Sequence, residues 1–126
     1  MNRYEHLLRS MEPSLDRAIL RVLTGYVGKA NAIGRDALTL RVGQLGFKSH
    51  ERQVRETIKN LRREGFLICS TPGENGGYYL AADRIEFEEF IAAEYRAKIT
   101  DMSVTLAAMT RAADQQFGSV IQGRLL

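Results

Sequence analysis

Between Lys48 and Arg63, six basic side chains (Lys48, Arg52, Arg55, Lys59, Arg62 and Arg63) stand against two acids, Glu51 and Glu56. Guanidinium and ammonium groups at this density suit a polyanion. Some residue types in the run also match the edges of base pairs. Arg52 can donate bidentately to guanine O6 and N7, Gln53 can pair with adenine N6 and N7, and Glu56 can accept from cytosine N4. Lys48, Arg55, Lys59 and Arg63 suit phosphates, which position a helix without reading sequence. Ser49 and His50 open the run, where the first amides of a helix can also hold a phosphate. The competing reading is a solvated helix face on which Arg52 and Glu56, four apart, simply pair with each other.

Other chemistries find less support. His6 and His50 make no metal-ligand spacing, and the single cysteine, Cys69, excludes an internal disulfide and a cysteine-rich zinc cluster. No His or Asp lies near Cys69 in sequence, so it reads as a buried structural thiol rather than a nucleophile. Gly73, Gly76 and Gly77 read as turn glycines, since no Lys-Ser/Thr follows them as in a phosphate-binding loop. The acids Asp83, Glu86, Glu88 and Glu89 have an adequate explanation in the electrostatics of a helix N-terminus. The expectation is therefore no enzyme, no cofactor and no metal.

The elements that must position the basic run follow from periodicity. Tyr4, Leu7, Leu8 and Met11 predict a short amphipathic helix or a frayed arm, ended by Pro13. Ser14 reads as an N-cap, and Leu15, Ala18, Ile19, Val22, Leu23 and Tyr26 predict a helix over about 15–27, stopped at Gly28. A second helix starts near Arg35–Asp36, its end blurred by Gly43 and Gly46. Ser49 is a candidate N-cap for the third, which carries Val54, Ile58 and Leu61 as an apolar stripe and ends at Gly65. Arg52, Glu56, Lys59 and Arg63 fall opposite that stripe, with Gln53 and Asn60 on one shoulder and Arg55 on the other. Residues 66–70 and 77–81 read as two strands of a hairpin around the turn formers Thr71–Gly76, with Ile68, Tyr78 and Leu80 facing the core. Tyr78 and Tyr79 can stack on bases, though one of them is expected to face the core.

From Asp83, a helix cap, no glycine or proline interrupts residues 84–117. Ala92, Tyr95, Ile99, Met102, Leu106, Met109 and Ala113 alternate three and four apart, a heptad seam over about three heptads. A domain of about 80 residues cannot cover so long a stripe, which predicts pairing with another helix. Either the helix is continuous, or Thr100–Asp101 caps a new one and folds the segment into a hairpin.

Length and charge set the frame. The chain has 126 residues, is 44% hydrophobic and 26% charged, and carries a net charge of +3. This is ordinary globular composition, and the length fits one domain or one small domain plus an appendage. Residues 1–82 hold 13 Lys/Arg and 8 Asp/Glu, a net +5; residues 83–126 hold 5 and 7, a net −2. The first two-thirds is thus the part fit to meet a polyanion. No apolar run reaches the ~18 residues of a membrane span, and Met1–His6 lacks the apolar stretch of a signal peptide, so a cytoplasmic protein is expected.

The order of elements and the stretch Leu45-Gly46-Phe47-Lys48-Ser49 through Leu61-Arg62-Arg63-Glu64-Gly65 resemble the turn and recognition helix of a winged helix-turn-helix domain. Ile68-Cys69-Ser70 and Gly76-Gly77-Tyr78-Tyr79-Leu80 resemble its wing. The form is similar to the N-terminal module of biotin-ligase repressors and to small phage-encoded winged-helix proteins with a C-terminal helix. The resemblance covers about residues 14–82. With the periodicity on either side of it, the resemblance implies a mainly α chain with a small β-hairpin, divided into an arm (1–13), a winged helix-turn-helix domain (14–82) and a long dimerisation helix (83–126). It further implies sequence-specific binding of double-stranded DNA by residues 50–64 in the major groove, as a dimeric transcriptional regulator or a phage or plasmid replication or accessory protein. The wing tip, Thr71–Gly76, departs from basic DNA-contacting wings: it has no Lys or Arg and carries Glu74, leaving Thr71, Asn75 or backbone amides to touch DNA. The seam residues Tyr95, Ile99, Met102, Leu106, Met109 and Ala113 would join two copies. The alternative is a winged-helix scaffold that packs on protein within a larger assembly.

Overall fold

A computed structural model of the chain describes residues 3–118 and divides it into two units, Met1–Glu88 and Glu89–Leu126. The first unit begins with α1 (Arg3–Ser10) and α2 (Leu15–Leu23). Ser14 caps α2 as its type predicts: the Arg17 amide donates to Ser14 Oγ (3.2 Å). α1 is docked rather than frayed. Leu8 is buried in the core, Tyr4 lies 5.7 Å from Phe66 between ring centroids, and the Leu67 amide donates to the Tyr4 hydroxyl (3.3 Å). Arg17 Nε donates to the Leu8 carbonyl (2.9 Å), satisfying one of the orphan acceptors at the end of α1.

α2 stops at Leu23, short of the expected 27, and the reason is tertiary. The Leu80 amide donates to the Tyr26 carbonyl (3.0 Å) and the Gly28 amide to the Leu80 carbonyl (2.9 Å). Residues 26–28 therefore bond to the sheet instead of extending the helix. One 3₁₀ turn (Lys29–Asn31) leads into β1 (Ile33–Gly34), a strand too short for any periodicity to reveal. The sheet accordingly has three antiparallel strands in the order β1-β3-β2, with β2 at Ile68–Ser70 and β3 at Gly77–Leu80. Ile33 faces Tyr78 and Gly34 faces Gly77, while Ile68, Cys69 and Ser70 face Leu80, Tyr79 and Tyr78. A Cβ at Gly77 would collide with the Ile33 carbonyl, so this third pairing needs the glycine.

α3 (Arg35–Gln44) and α4 (Glu51–Arg63) complete the unit and end in the same way. In each, a glycine at positive φ (Gly46, Gly65) precedes a phenylalanine. Phe47 donates to Val42 and Gly46 to Gly43; Phe66 donates to Leu61 and Gly65 to Arg62. This is the Schellman motif, and both phenylalanines pack against the core, as its hydrophobic contact requires. The core joins Ile19, Leu20 and Leu23 of α2, Leu38 and Val42 of α3, and Val54, Ile58 and Leu61 of α4 to Ile68, Tyr78 and Leu80 of the sheet. Ile68, Tyr78 and Leu80 thus face inward as alternation predicts.

α5 (Arg84–Ile91) carries the division between the units within it, beyond the composition change at Ala82–Asp83. Asp83 caps it: the Glu86 amide donates to Asp83 Oδ1 (2.8 Å). Glu86 in turn accepts from the amides of Lys29 and Ala82, each at 3.0 Å, which ties the start of α5 to the first unit. In the second unit a π-helical segment (Ala92–Arg96) is followed by α6 (Ala97–Phe117). α6 passes through Thr100–Asp101 without a break, so the hairpin alternative does not form there. No residue of α6 is buried.

Candidate nucleic-acid interface

α4 displays the residues of the basic run. Its apolar stripe, Val54, Ile58 and Leu61, is buried, which turns the opposite face to solvent. Arg52, Gln53, Arg55, Glu56, Lys59, Asn60 and Arg63 are all exposed. At 100° per residue they occupy one continuous band along the helix. The ion pair that spacing allows between Arg52 and Glu56 is not made. Among the described residues, the side chains of Arg52, Arg55, Glu56, Lys59 and Arg63 have no ion pair or hydrogen bond. Asn60 belongs to this band although only its shoulder position marked it in the sequence. Arg62, the remaining arginine of the run, does something different: its Nε donates to the Ile68 carbonyl (2.7 Å) and its guanidinium to Ser70 Oγ (3.2 Å). It clamps α4 to β2 and so stands apart from the exposed band.

The start of α4 corrects one expectation. His50, not Ser49, is the N-cap residue. The Ser49 hydroxyl donates back to the Phe47 carbonyl (3.4 Å), one residue too early to serve the helix. The His50 amide donates to Gln53 Oε1 (3.0 Å), the reciprocal half of a capping box. Gln53 is therefore already employed in holding the helix start, and bidentate recognition of adenine would require that bond to break. Lys48 and His50 are exposed beside this cap.

The 71–76 loop does not join the band's chemistry. Thr71 closes the hairpin: its Oγ1 accepts from the Gly77 amide (3.0 Å) and its amide donates to the Gly77 carbonyl (2.9 Å). Glu74 and Asn75 are exposed at the tip. Tyr78 and Tyr79 are both buried, so neither ring is free to stack on a base. Burial also pushes the Cys69 thiol up to about 11; the nearby Arg62 guanidinium opposes this, Glu86 adds to it, and a hydrogen bond with Tyr79 opposes it. A thiol so held stays protonated at neutral pH and is a poor nucleophile.

In the second unit, Ile99, Met102, Leu106 and Met109 are 63%, 70%, 68% and 68% exposed, and Ala113 is exposed as well. They fall within one band of about 80°. Phe117, four residues beyond Ala113 and equally open, extends the band and was missed in the heptad reading. Tyr95 lies in the π segment with its ring edge-on to Phe90 (centroids 5.7 Å apart), so part of its surface is used within its own unit.

Among the described residues no helix is long and apolar enough to cross a membrane. No family model matches the chain, and neither a curated protein nor a solved structure does.

Proposed function

We propose that the chain binds double-stranded DNA in a sequence-specific manner, as a winged helix-turn-helix protein that lays α4 in the major groove. The observation that carries this reading is the band on α4. Four cationic side chains with no hydrogen-bond or ion-pair partner among the described residues share the exposed face of a 13-residue helix whose other face is locked into the core. A major groove about 12 Å wide admits one such helix. Arg52 and Glu56 are the residues to read base edges, and Lys48, Arg55, Lys59 and Arg63 the ones to hold phosphates. Two copies pair through the exposed stripe of α6, which favours a pseudo-palindromic site with half-sites about one helical turn apart or a multiple of it. The role that fits is a dimeric transcriptional regulator or a phage or plasmid replication or accessory protein.

One observation favours a second reading. The 71–76 loop, exposed at residues 72–75, carries Glu74 and no Lys or Arg, which suits a module that packs on protein within an assembly. Fluorescence anisotropy of the protein against random duplex DNA at two salt concentrations separates the two. DNA binding must weaken steeply with salt, with a log–log slope of about −0.9 per phosphate contact. Absence of binding at low salt would overturn the DNA reading.

A further inference from the structure

Between the C-terminal parts of α2 and α3 lies a groove of about 500 Å³ whose lining includes Arg21, Val22, Tyr26, Arg41, Gln44 and Leu45. A smaller hollow of about 80 Å³ shares Arg21 and Leu45 with it and adds Arg17 and Phe47. Neither lining contains an Asp or a Glu. The Arg41 guanidinium sits over the Tyr26 ring, 5.7 Å from its centroid. Among the described residues, neither Arg21 nor Arg41 has a carboxylate partner. The groove thus combines unpaired guanidinium groups with an apolar surface made by Val22, Tyr26 and Leu45, the last of which is 43% exposed.

We propose that this groove docks an acidic, apolar peptide segment of a partner protein. Its carboxylates would take Arg21 and Arg41, and an apolar side chain would lie against Val22, Tyr26 and Leu45. Charge complementarity decides the class. A guanidinium fork matches a carboxylate bidentately, and no acid of the lining competes for it. A DNA backbone would satisfy the arginines but offers nothing apolar to a concave surface. A second copy of this chain is the poorer occupant at its 83–89 stretch: Asp83 caps α5, Glu86 holds two backbone amides and Glu88 pairs with Arg84, which leaves Glu89 as the one exposed acid there without a bond among the described residues. The proposal goes beyond DNA binding by α4 and does not depend on it.

The test uses the full chain and a fluorescein-labelled twelve-residue synthetic peptide of Glu, Leu and Phe, beside its counterpart with every Glu replaced by Gln. Expected is saturable binding of the acidic peptide, at least tenfold weaker binding of the Gln peptide, and at least tenfold loss in Arg21→Glu/Arg41→Glu. The melting temperature and the affinity of that variant for random duplex should be those of the parent. Should the double charge reversal fail to fold, Arg21→Gln/Arg41→Gln carries the same expectation. No binding of the acidic peptide, equal binding of the Gln peptide, or unchanged binding by the folded variants would each overturn the proposal. So would displacement of the peptide by random duplex together with loss of duplex affinity in the variants, which would assign the groove to DNA.

Discussion

α4 and α6 carry the same kind of pattern and meet opposite fates. Each has apolar side chains three and four apart on one face. In α4 the stripe Val54, Ile58 and Leu61 is buried against α2, α3 and the sheet. In α6 the stripe Ile99, Met102, Leu106 and Met109 remains about two-thirds exposed. An amphipathic pattern demands a cover but does not say who supplies it. Where the chain itself supplies the cover, the polar face is what remains available, and on α4 that face is basic. Where it does not, the apolar face is what remains available, and on α6 the proposed cover is a second copy.

The largest expected effect lies in the α4 stripe. Ile58→Ala should cost about 2–5 kcal/mol of stability, because a fully buried side chain leaves a cavity and loses its transfer energy. Chemical denaturation measures it, and a loss below 1 kcal/mol would contradict the burial. Met102→Asp is the matching change on α6. It should leave the melting temperature of the first unit unchanged and convert the protein from dimer to monomer in sedimentation velocity. If the variant still sediments as a dimer, that seam is wrong.

Smaller effects sharpen the polar side of the contrast. Arg52→Ala should weaken binding to a selected site by about 1–3 kcal/mol at unchanged stability, as loss of a bidentate base contact does. Lys59→Ala should weaken binding to all duplexes alike and reduce the salt slope by about one. Intact affinity in a folded Arg52→Ala protein would remove the groove assignment. Gln53→Ala deletes the reciprocal half of the capping box, with an expected stability loss of about 1 kcal/mol, read from urea melts. If stability is unchanged, Gln53 is free for the groove after all.

The smallest effect is a pH dependence. The Cys69 thiol titrates at about 11 in the folded chain against 9.0 for the ordinary group. The folded state therefore holds the proton to higher pH than the unfolded state. The resulting stabilisation is complete below pH 9 and is lost as pH rises to about 11. Urea melts at pH 8 and pH 11 on the parent and on Cys69→Ala should show a larger fall in the parent; equal falls would contradict it.

What local chemistry dictates was legible in the residues. Ser14 and Asp83 cap the helices they precede, Gly65 ends α4, and the 4–3 spacing of Val54, Ile58 and Leu61 marked both the buried and the displayed face of α4, whereas the end of α3 stayed blurred between Gly43 and Gly46 until the bonds of Gly46 and Phe47 were in place. The sequence could not show how groups distant along the chain would bond. Three antiparallel strands exist because Ile33–Gly34 reaches a glycine more than forty positions away, and two residues carry no period. α2 ends early because Leu80 claims the backbone of residues 26–28. Arg62 and Arg63 are chemically identical neighbours, yet one is turned toward β2 and clamps it while the other stays in solvent. Gln53 and Thr71 read as free polar groups until their hydrogen bonds to His50 and Gly77 are in place. Type and spacing fix which faces a helix will have, since these depend only on its own turn. Which polar groups stay available is settled by the partners that tertiary packing brings within bonding distance, and an unsatisfied buried group costs too much for that choice to be left open.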